Sequence, residues 1–195
     1  ERIESVALCF LHAHVNPAHE RRALEVLQPL LPGVHFSLSS EVSPEIGEYA
    51  RFSTTAANAF VQPQVATYLD RLKSGLAGLG LTAPVFMFLS NGGLCTLDLA
   101  RRFPIRLVES GPAGGAVFAA QLARALGEEA ILAFDMGGTT AKVCLIDKGM
   151  PRRSPSFEMA REHMHRQGSG LPARIPVIDL VEIGAGGGSL ARVDG

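Results

Sequence analysis

The chain has 195 residues, 47% of them hydrophobic, with 18 basic against 19 acidic side chains and a formal net charge of −1. That apolar content excludes general disorder, the charge balance gives no electrostatic case for nucleic acid, and no apolar run approaches the roughly 18 residues that cross a bilayer. Cys9, Cys95 and Cys144, two of them inside apolar runs, fit reduced and mostly buried thiols in a cytoplasmic protein. The chain opens on Glu1 with no initiator methionine or secretory leader and stops in mid-pattern at Val193-Asp194-Gly195, as an excised piece would.

Val6 to Leu11 predicts a strand buried on both faces. After His12-Ala13-His14, Asn16-Pro17 supplies an N-cap and a first-turn proline for a helix that ends at Pro32-Gly33. Val34 to Leu38 is then a short strand, so the opening predicts a β-α-β unit with parallel pairing through a right-handed crossover. His12, His14 and His19 invite a metal reading, yet Glu20 is the only close carboxylate and no cysteine completes a set. They read instead as surface or capping residues at a strand-to-helix turn.

Residues 39–49 predict a loop with a helical turn. From Ser53-Thr54-Thr55 onward, Phe60-Val61, Val65, Tyr68-Leu69, Leu72, Leu76 and Leu79 recur at helical spacing, and Pro63 predicts a kink or a restart. Pro84 to Leu89 predicts a buried strand. Ser90-Asn91-Gly92-Gly93 after it suits a tight turn or a ligand loop at a strand's carboxyl end. A short helix over Thr96 to Arg102 ends at Phe103-Pro104, and Arg106 to Val108 predicts a brief strand. Glu109-Ser110-Gly111-Pro112-Ala113-Gly114-Gly115 leads into a helix with Val117, Phe118, Leu122 and Leu126 facing inward. Its glycines serve either an anion at the helix N-terminus or close packing against a neighbour.

Ile131 to Asp147, I-L-A-F-D-M-G-G-T-T-A-K-V-C-L-I-D, predicts two strands joined by a turn, with Gly137 and Gly138 freeing the backbone at the tip. Backbone N–H groups there, with the Thr139 and Thr140 hydroxyls, suit an anion such as phosphate. Asp135, at the end of the first strand, is placed to hold a metal ion or a water beside it. An ordinary hairpin whose aspartate caps the turn fits the same spacing. Beyond it, Arg161, His163, His165 and Arg166 with Gly168-Ser169-Gly170 predict an exposed, mildly basic loop. Pro176 to Ile183 predicts a last strand. It runs into Gly184-Ala185-Gly186-Gly187-Gly188-Ser189, a run suited to phosphate approach or to a hinge.

Six motifs stand in order: V-N-P-A-H-E-R-R-A from Val15, S-L-S-S-E-V-S-P-E-I from Ser37, S-N-G-G from Ser90, E-S-G-P-A-G-G from Glu109, F-D-M-G-G-T-T-A-K from Phe134 and G-A-G-G-G-S from Gly184. Together they resemble the hydantoinase A / 5-oxoprolinase family, which includes subunits of acetone and acetophenone carboxylases. The resemblance runs over essentially the whole chain. It implies an α/β, ribonuclease-H-like region of the actin/Hsp70/sugar-kinase kind, with a mixed, mainly parallel sheet and flanking helices. Residues 1–129 would form an α/β region and residues 130–195 the start of a second lobe.

The resemblance also implies ATP and Mg2+ as cofactors, a cyclic amide such as a hydantoin or 5-oxoproline as substrate, and a hydantoinase B-type partner. ATP hydrolysis would open the ring through phosphorylation of the substrate oxygen, a reaction that asks the protein mainly for positioning and charge neutralisation. Asp135 would orient Mg2+ or a water, and Gly137, Gly138, Thr139 and Thr140 would bind phosphate oxygens, with Gly186, Gly187 and Gly188 as a further cofactor loop. Lys142 would neutralise charge or simply face outward from its strand. The family's second Asp-x-Gly-Gly-Thr loop, in its first lobe, is missing here, as is the portion that finishes the adenosine pocket. The chain is therefore expected to carry half an ATP site and not to turn over alone. A small-molecule kinase, a carboxylase subunit and a non-catalytic nucleotide-binding or assembly module are the rival readings.

Overall fold

The structure, a computed structural model, describes residues 3–163, 168–190, 192 and 193. The first part of the chain forms β1 (Ser5–Leu8), α1 (Ala18–Leu27), β2 (His35–Leu38), α2 (Ser39–Val42) and α3 (Glu48–Gly78). Next come β3 (Phe86–Phe88), β4 (Leu94–Thr96), α4 (Leu97–Arg102), a 3-10 helix at Pro104–Leu107 and α5 (Ser110–Leu126). Strands follow: β5 (Ala130–Met136), β6 (Ala141–Asp147), β7 (Met150–Pro151), β8 (Arg153–Ser154), β9 (Phe157–Met159), β10 (Leu171–Ala173), β11 (Val177–Ile178) and β12 (Val181–Ile183). The result is a mixed α/β protein with small sheets, divided into two units. The first takes in Glu1–Met87, Leu94–Val108 and Pro155–Ile175, and the second Phe88–Gly93, Glu109–Ser154 and Pro176–Gly195. No helix among the described residues is long and apolar enough to cross a membrane.

In the first unit β1 and β2 pair in parallel, from Ser5 opposite His35 to Leu8 opposite Leu38, with α1 as the crossover. This is the expected β-α-β opening. Asn16 Oδ1 accepts the Ala18 N–H at 3.1 Å as the chain enters α1. His12 and His14 belong to that turn: the His12 N–H donates to Glu48 Oε1 at 3.4 Å, and His14 Nδ1 lies 3.2 Å from an Arg51 guanidinium nitrogen. Among the described residues no group of three or more His, Cys, Asp or Glu side chains could hold a metal ion.

The helix α3 shows no restart at Pro63 and buries a different face from the one expected. It runs 31 residues without a break through Pro63. The ring removes one N–H, but Gln62, Ala66 and Leu69 are buried on either side of it and hold the helix in register. The buried face is also polar where an apolar one was expected: Arg51, Thr54, Thr55, Asn58 and Gln62 lie inward, while Phe60 and Tyr68 are exposed. These polar groups are satisfied by the fold. Asn58 Nδ2 donates to Ser37 Oγ at 2.9 Å and to the Arg102 carbonyl at 3.0 Å, and Asn58 Oδ1 accepts the Ile105 N–H at 3.2 Å. That last bond helps draw Pro104–Leu107 into a 3-10 turn where a strand at Arg106 to Val108 was expected.

Near the other end of the stripe, Arg51 donates to Ser39 Oγ, the Glu45 carbonyl and the Phe10 carbonyl at 3.0–3.1 Å. Glu20, fully buried, accepts from the Phe10 N–H at 2.9 Å, the Ser39 hydroxyl at 2.6 Å and the Ser40 N–H at 2.9 Å. Burial alone would raise its pKa, yet these hydrogen bonds to the carboxylate outweigh it and hold the group below the ordinary glutamate range. In the same unit β9 and β10 pair antiparallel. Of the mildly basic loop expected between them, Arg161 pairs with Glu158 at 3.3 Å, and His165 and Arg166 lie outside the described residues.

In the second unit β5 and β6 form an antiparallel hairpin in register from Ala130 opposite Asp147 to Met136 opposite Ala141. On the outer edge of β6, β12 and β7 also pair antiparallel, as do β8 and β11. The mainly parallel sheet expected from the sequence is thus absent among the pairings with described register, where only β1–β2 is parallel. The physical reason is connection length, since the four residues 137–140 allow only antiparallel neighbours. The helix α5 lies on this sheet through Ala113, Ala116 and Ala120, which pack with Cys144, Ile146 and Ile178. Phe118, Leu122 and Leu126, expected inward, are 68, 50 and 68% exposed. Small side chains let the helix approach the sheet closely, and its bulky stripe faces away.

Candidate anion-binding site

The β5–β6 hairpin closes with the Gly137 N–H donating to the Thr140 carbonyl at 2.9 Å. Asp135, Gly137, Gly138 and Thr139 are exposed and Thr140 is half-buried. Neither Gly137 nor Gly138 adopts a left-handed φ, so the turn itself does not require them to be glycine. A Cβ on Gly138 would meet nothing within 4 Å. Neither a left-handed φ nor a neighbour within 4 Å of the would-be Cβ requires glycine at 138.

The glycine-rich loop after β12 is fastened onto this tip. The Gly187 N–H donates to the Gly137 carbonyl at 2.9 Å. A Cβ on Gly186 would lie 2.3 Å from the Gly138 oxygen, 2.5 Å from its carbonyl carbon and 2.6 Å from the Thr139 nitrogen, so only glycine permits the contact. Gly186 is accordingly buried, and its loop closes on itself through the Gly186 N–H donating to Ser189 Oγ at 3.0 Å and the Ser189 N–H donating to the Gly186 carbonyl at 2.9 Å. Gly187 and Gly188 stay exposed, and a Cβ on Gly188 would also meet open space. Two motifs far apart in sequence thereby form one surface of exposed backbone.

A third motif reaches the same end of the unit. Glu109 is the N-cap of α5, in the left-handed region at φ 61°, and its carboxylate is ion-paired with Lys142 Nζ. Lys142 stands opposite Asp135 on β5 and opposite Glu182 on β12, with Glu182 Oε1 at 3.9 Å. Its side chain is 15% exposed, so it is not an outward-facing strand lysine. The Asp135 carboxylate makes no hydrogen bond or ion pair among the described residues, its backbone being paired in the β5–β6 ladder. An exposed, unpaired carboxylate at a strand end beside bare backbone fits Mg2+, which takes one or two protein carboxylates and fills its shell with water and phosphate oxygens.

The glycines of the helix start divide in their roles. Gly114 lies 3.7 Å from the Phe88 ring through its would-be Cβ, while Gly111 and Gly115 have open space. By contrast Ser90-Asn91-Gly92-Gly93 is explained as a tight turn. The Leu89 N–H donates to the Gly93 carbonyl at 2.8 Å, Gly92 has φ 81°, and a Cβ there would come 2.7 Å from Val117. Glu109 and Glu182, partners of Lys142, were not singled out from the sequence. Cross-strand register and the start of α5 determine both contacts, and neither is visible in residue spacing.

Comparison with known proteins follows the same segments. The hydantoinase/oxoprolinase family profile matches residues 51–195. An uncharacterized protein of Methanocaldococcus jannaschii is 40% identical over 194 residues, covering 98% of this chain and 28% of the relative. The caprolactamase subunit alpha of Pseudomonas jessenii is 33% identical over 194 residues, covering 100% of this chain and 27% of the subunit. The crystal structure of that ATP-dependent caprolactamase superimposes with a TM-score of 0.78 at 31% identity, covering 98% of this chain and 26% of the matched chain. Nucleotide-free acetone carboxylase, from work on ATP-dependent acetone carboxylation, gives a TM-score of 0.78 at 26% identity over the same shares. The chain spans about a quarter of the length of these relatives.

Proposed function

The chain belongs to the hydantoinase/oxoprolinase family, and from that premise we propose that it carries one side of the nucleotide site of an ATP-dependent cyclic amide hydrolase. The observation that carries the reading is the joining of the two glycine motifs, Gly186 seated on the Gly138–Thr139 peptide and the Gly187 N–H bonded to the Gly137 carbonyl. Packing and backbone conformation explain Gly186 but leave Gly138 and Gly188 unexplained, and a ligand that must approach the backbone closely explains both. In this reading the ribonuclease-H-like lobes of the superfamily close on ATP, and the β5–β6 hairpin is the phosphate loop of the second lobe. A hydantoinase B-type subunit as partner and a cytoplasmic location complete the proposal. The subunit designation of the caprolactamase relative supports the former.

Bound Mg-ATP would supply the phosphoryl group that makes the substrate oxygen a competent leaving group. The protein's part is positioning and charge. Gly137, Gly138, Thr139 and Thr140 present backbone and hydroxyl groups to phosphate oxygens, and Gly186, Gly187 and Gly188 close the same surface from the side. Asp135 would hold the cation, or a water, beside them. Lys142, ion-paired with Glu109 and only 15% exposed, is engaged within the fold and is given no phosphate-binding role in this reading.

The test uses the complete subunit with its partner. Asp135→Ala and Gly138→Val are both expected to fold, since Asp135 is exposed and a Cβ on Gly138 would meet open space, and to lose ATP-dependent ring opening by at least about 100-fold. Full activity in Asp135→Ala overturns that residue's assignment. The structural match to acetone carboxylase favours one second reading, a carboxylase subunit that activates a ketone by the same phosphorylation. Assaying lactam opening against bicarbonate-dependent ketone consumption separates the two. A free phosphorylated product would instead mark a small-molecule kinase.

A further inference from the structure

Asp135 and Lys142 face each other across the hairpin. At such a position Cβ atoms lie roughly 4.5–5.5 Å apart, and an opposite-charge pair is the favoured outcome. Both side chains lie on the α5 side of the sheet, by the alternation that places Ala133 and Cys144 in the core beneath α5. The ammonium nevertheless turns away. It is ion-paired with Glu109 at the start of α5, with Glu182 at 3.9 Å on the other flank. Asp135 is left without a partner among the described residues.

Glu109 makes this contact from a left-handed backbone at φ 61° and ψ 18°, a region that non-glycine residues seldom occupy and that clusters at functional sites. Two carboxylates, Glu109 and Glu182, thus flank the ammonium, while Asp135, two residues before Gly137 on the same hairpin, is left unpaired among the described residues. We propose that Glu109 is a positioning residue which holds Lys142 on α5 and thereby keeps the Asp135 carboxylate free for a divalent cation. Remove the Glu109 charge and Lys142 pairs with Asp135 across the strands. The carboxylate is then neutralised and becomes a poorer ligand for a hard cation. The inference rests on the reading of this hairpin as a phosphate loop and adds to it the device that keeps its carboxylate unpaired.

The probe is Mn2+ with ADP on the complete subunit, with free and bound Mn2+ distinguished by electron paramagnetic resonance, so that turnover is not needed. Glu109→Gln is expected to weaken Mn2+ binding about fivefold, the scale of one ion pair. Glu109→Gln with Lys142→Met is expected to return it to within about twofold of wild type, a rescue that a purely structural role for Glu109 does not predict. Lys142→Met alone, which leaves the Glu109 backbone untouched, is expected to bind Mn2+ at least as tightly as wild type. Wild-type affinity in Glu109→Gln, failure of the double variant to recover, or weakened binding in Lys142→Met overturns the role of Glu109 alone. Absence of Mn2+·ADP binding in wild type, or unchanged binding in Asp135→Ala, overturns the phosphate-loop reading and the inference with it.

Discussion

The contact between Gly186 and the Gly138–Thr139 peptide is made by backbone on both sides, so nothing in it can rotate out of the way. A methyl group at 186 would stand 2.3–2.6 Å from three main-chain atoms. Either the loop after β12 lifts off the hairpin or the tip of the hairpin bends. Gly186→Ala is therefore expected to destabilise the chain by about 1–3 kcal/mol, the usual scale of overpacking. Gly188→Ala, two residues on with open space at its Cβ, is expected to stay within about 0.5 kcal/mol of wild type. Urea unfolding of the two variants side by side checks the difference. Equal stabilities would mean that the two loops do not touch as described. A nucleotide titration of the folded Gly188→Ala protein then asks whether that glycine is kept for a ligand.

At the level of elements, α5 shows what hydrophobic pattern can and cannot decide. Its sequence is apolar on two stripes, one of alanines and one of Phe118, Leu122 and Leu126, and side-chain size favoured the wrong one as the buried face. The choice is made by how close β5 and β6 let the helix come, a tertiary quantity that no window of residues contains. The same limit applied to α3, where Arg51, Asn58 and Gln62 are buried because Ser37, Ser39 and the carbonyls of residues 101 and 102 wait for them. By contrast the β-α-β opening and the β5–β6 hairpin were legible, because turn residues and apolar runs specify them locally. Asp135, the hairpin glycines and the second glycine loop could be read as candidates, but not that Gly186 sits on Gly138, nor that Glu109 takes Lys142. The alanine stripe gives a direct test. Ala120→Leu, at a site 3% exposed in the helix–sheet core, is expected to cost about 1–3 kcal/mol. Leu122→Ala, half-exposed in this chain, is expected to cost about 0.5 kcal/mol or less. A reversed order of melting temperatures would put the helix on its other face.

For the molecule as a whole, the second unit carries an apolar surface that its own residues do not cover. On the sheet face away from α5, Leu132, Phe134 and Met136 of β5 line up with Leu145 of β6 and with Val181 and Ile183 of β12, all of them exposed. Contiguous apolar area of this kind is uncommon on monomeric proteins and drives association. The relatives at 40 and 33% identity are more than three times as long, so material beyond this chain is available to lie on the corresponding face in them. Among the described residues none covers this face. The chain is therefore expected to self-associate in a concentration-dependent way and to bind an apolar dye such as ANS while still folded. Replacing Leu132 and Leu145, which face each other across the hairpin, with lysine and glutamate adds a cross-strand ion pair in place of a cross-strand apolar pair. Sedimentation velocity should then show a shift toward monomer, with dye fluorescence falling in parallel. The same double substitution in the complete subunit should be destabilising instead, by several kcal/mol, if other polypeptide buries the face there. A monomeric wild-type chain with no dye binding would show that this sheet face needs no cover.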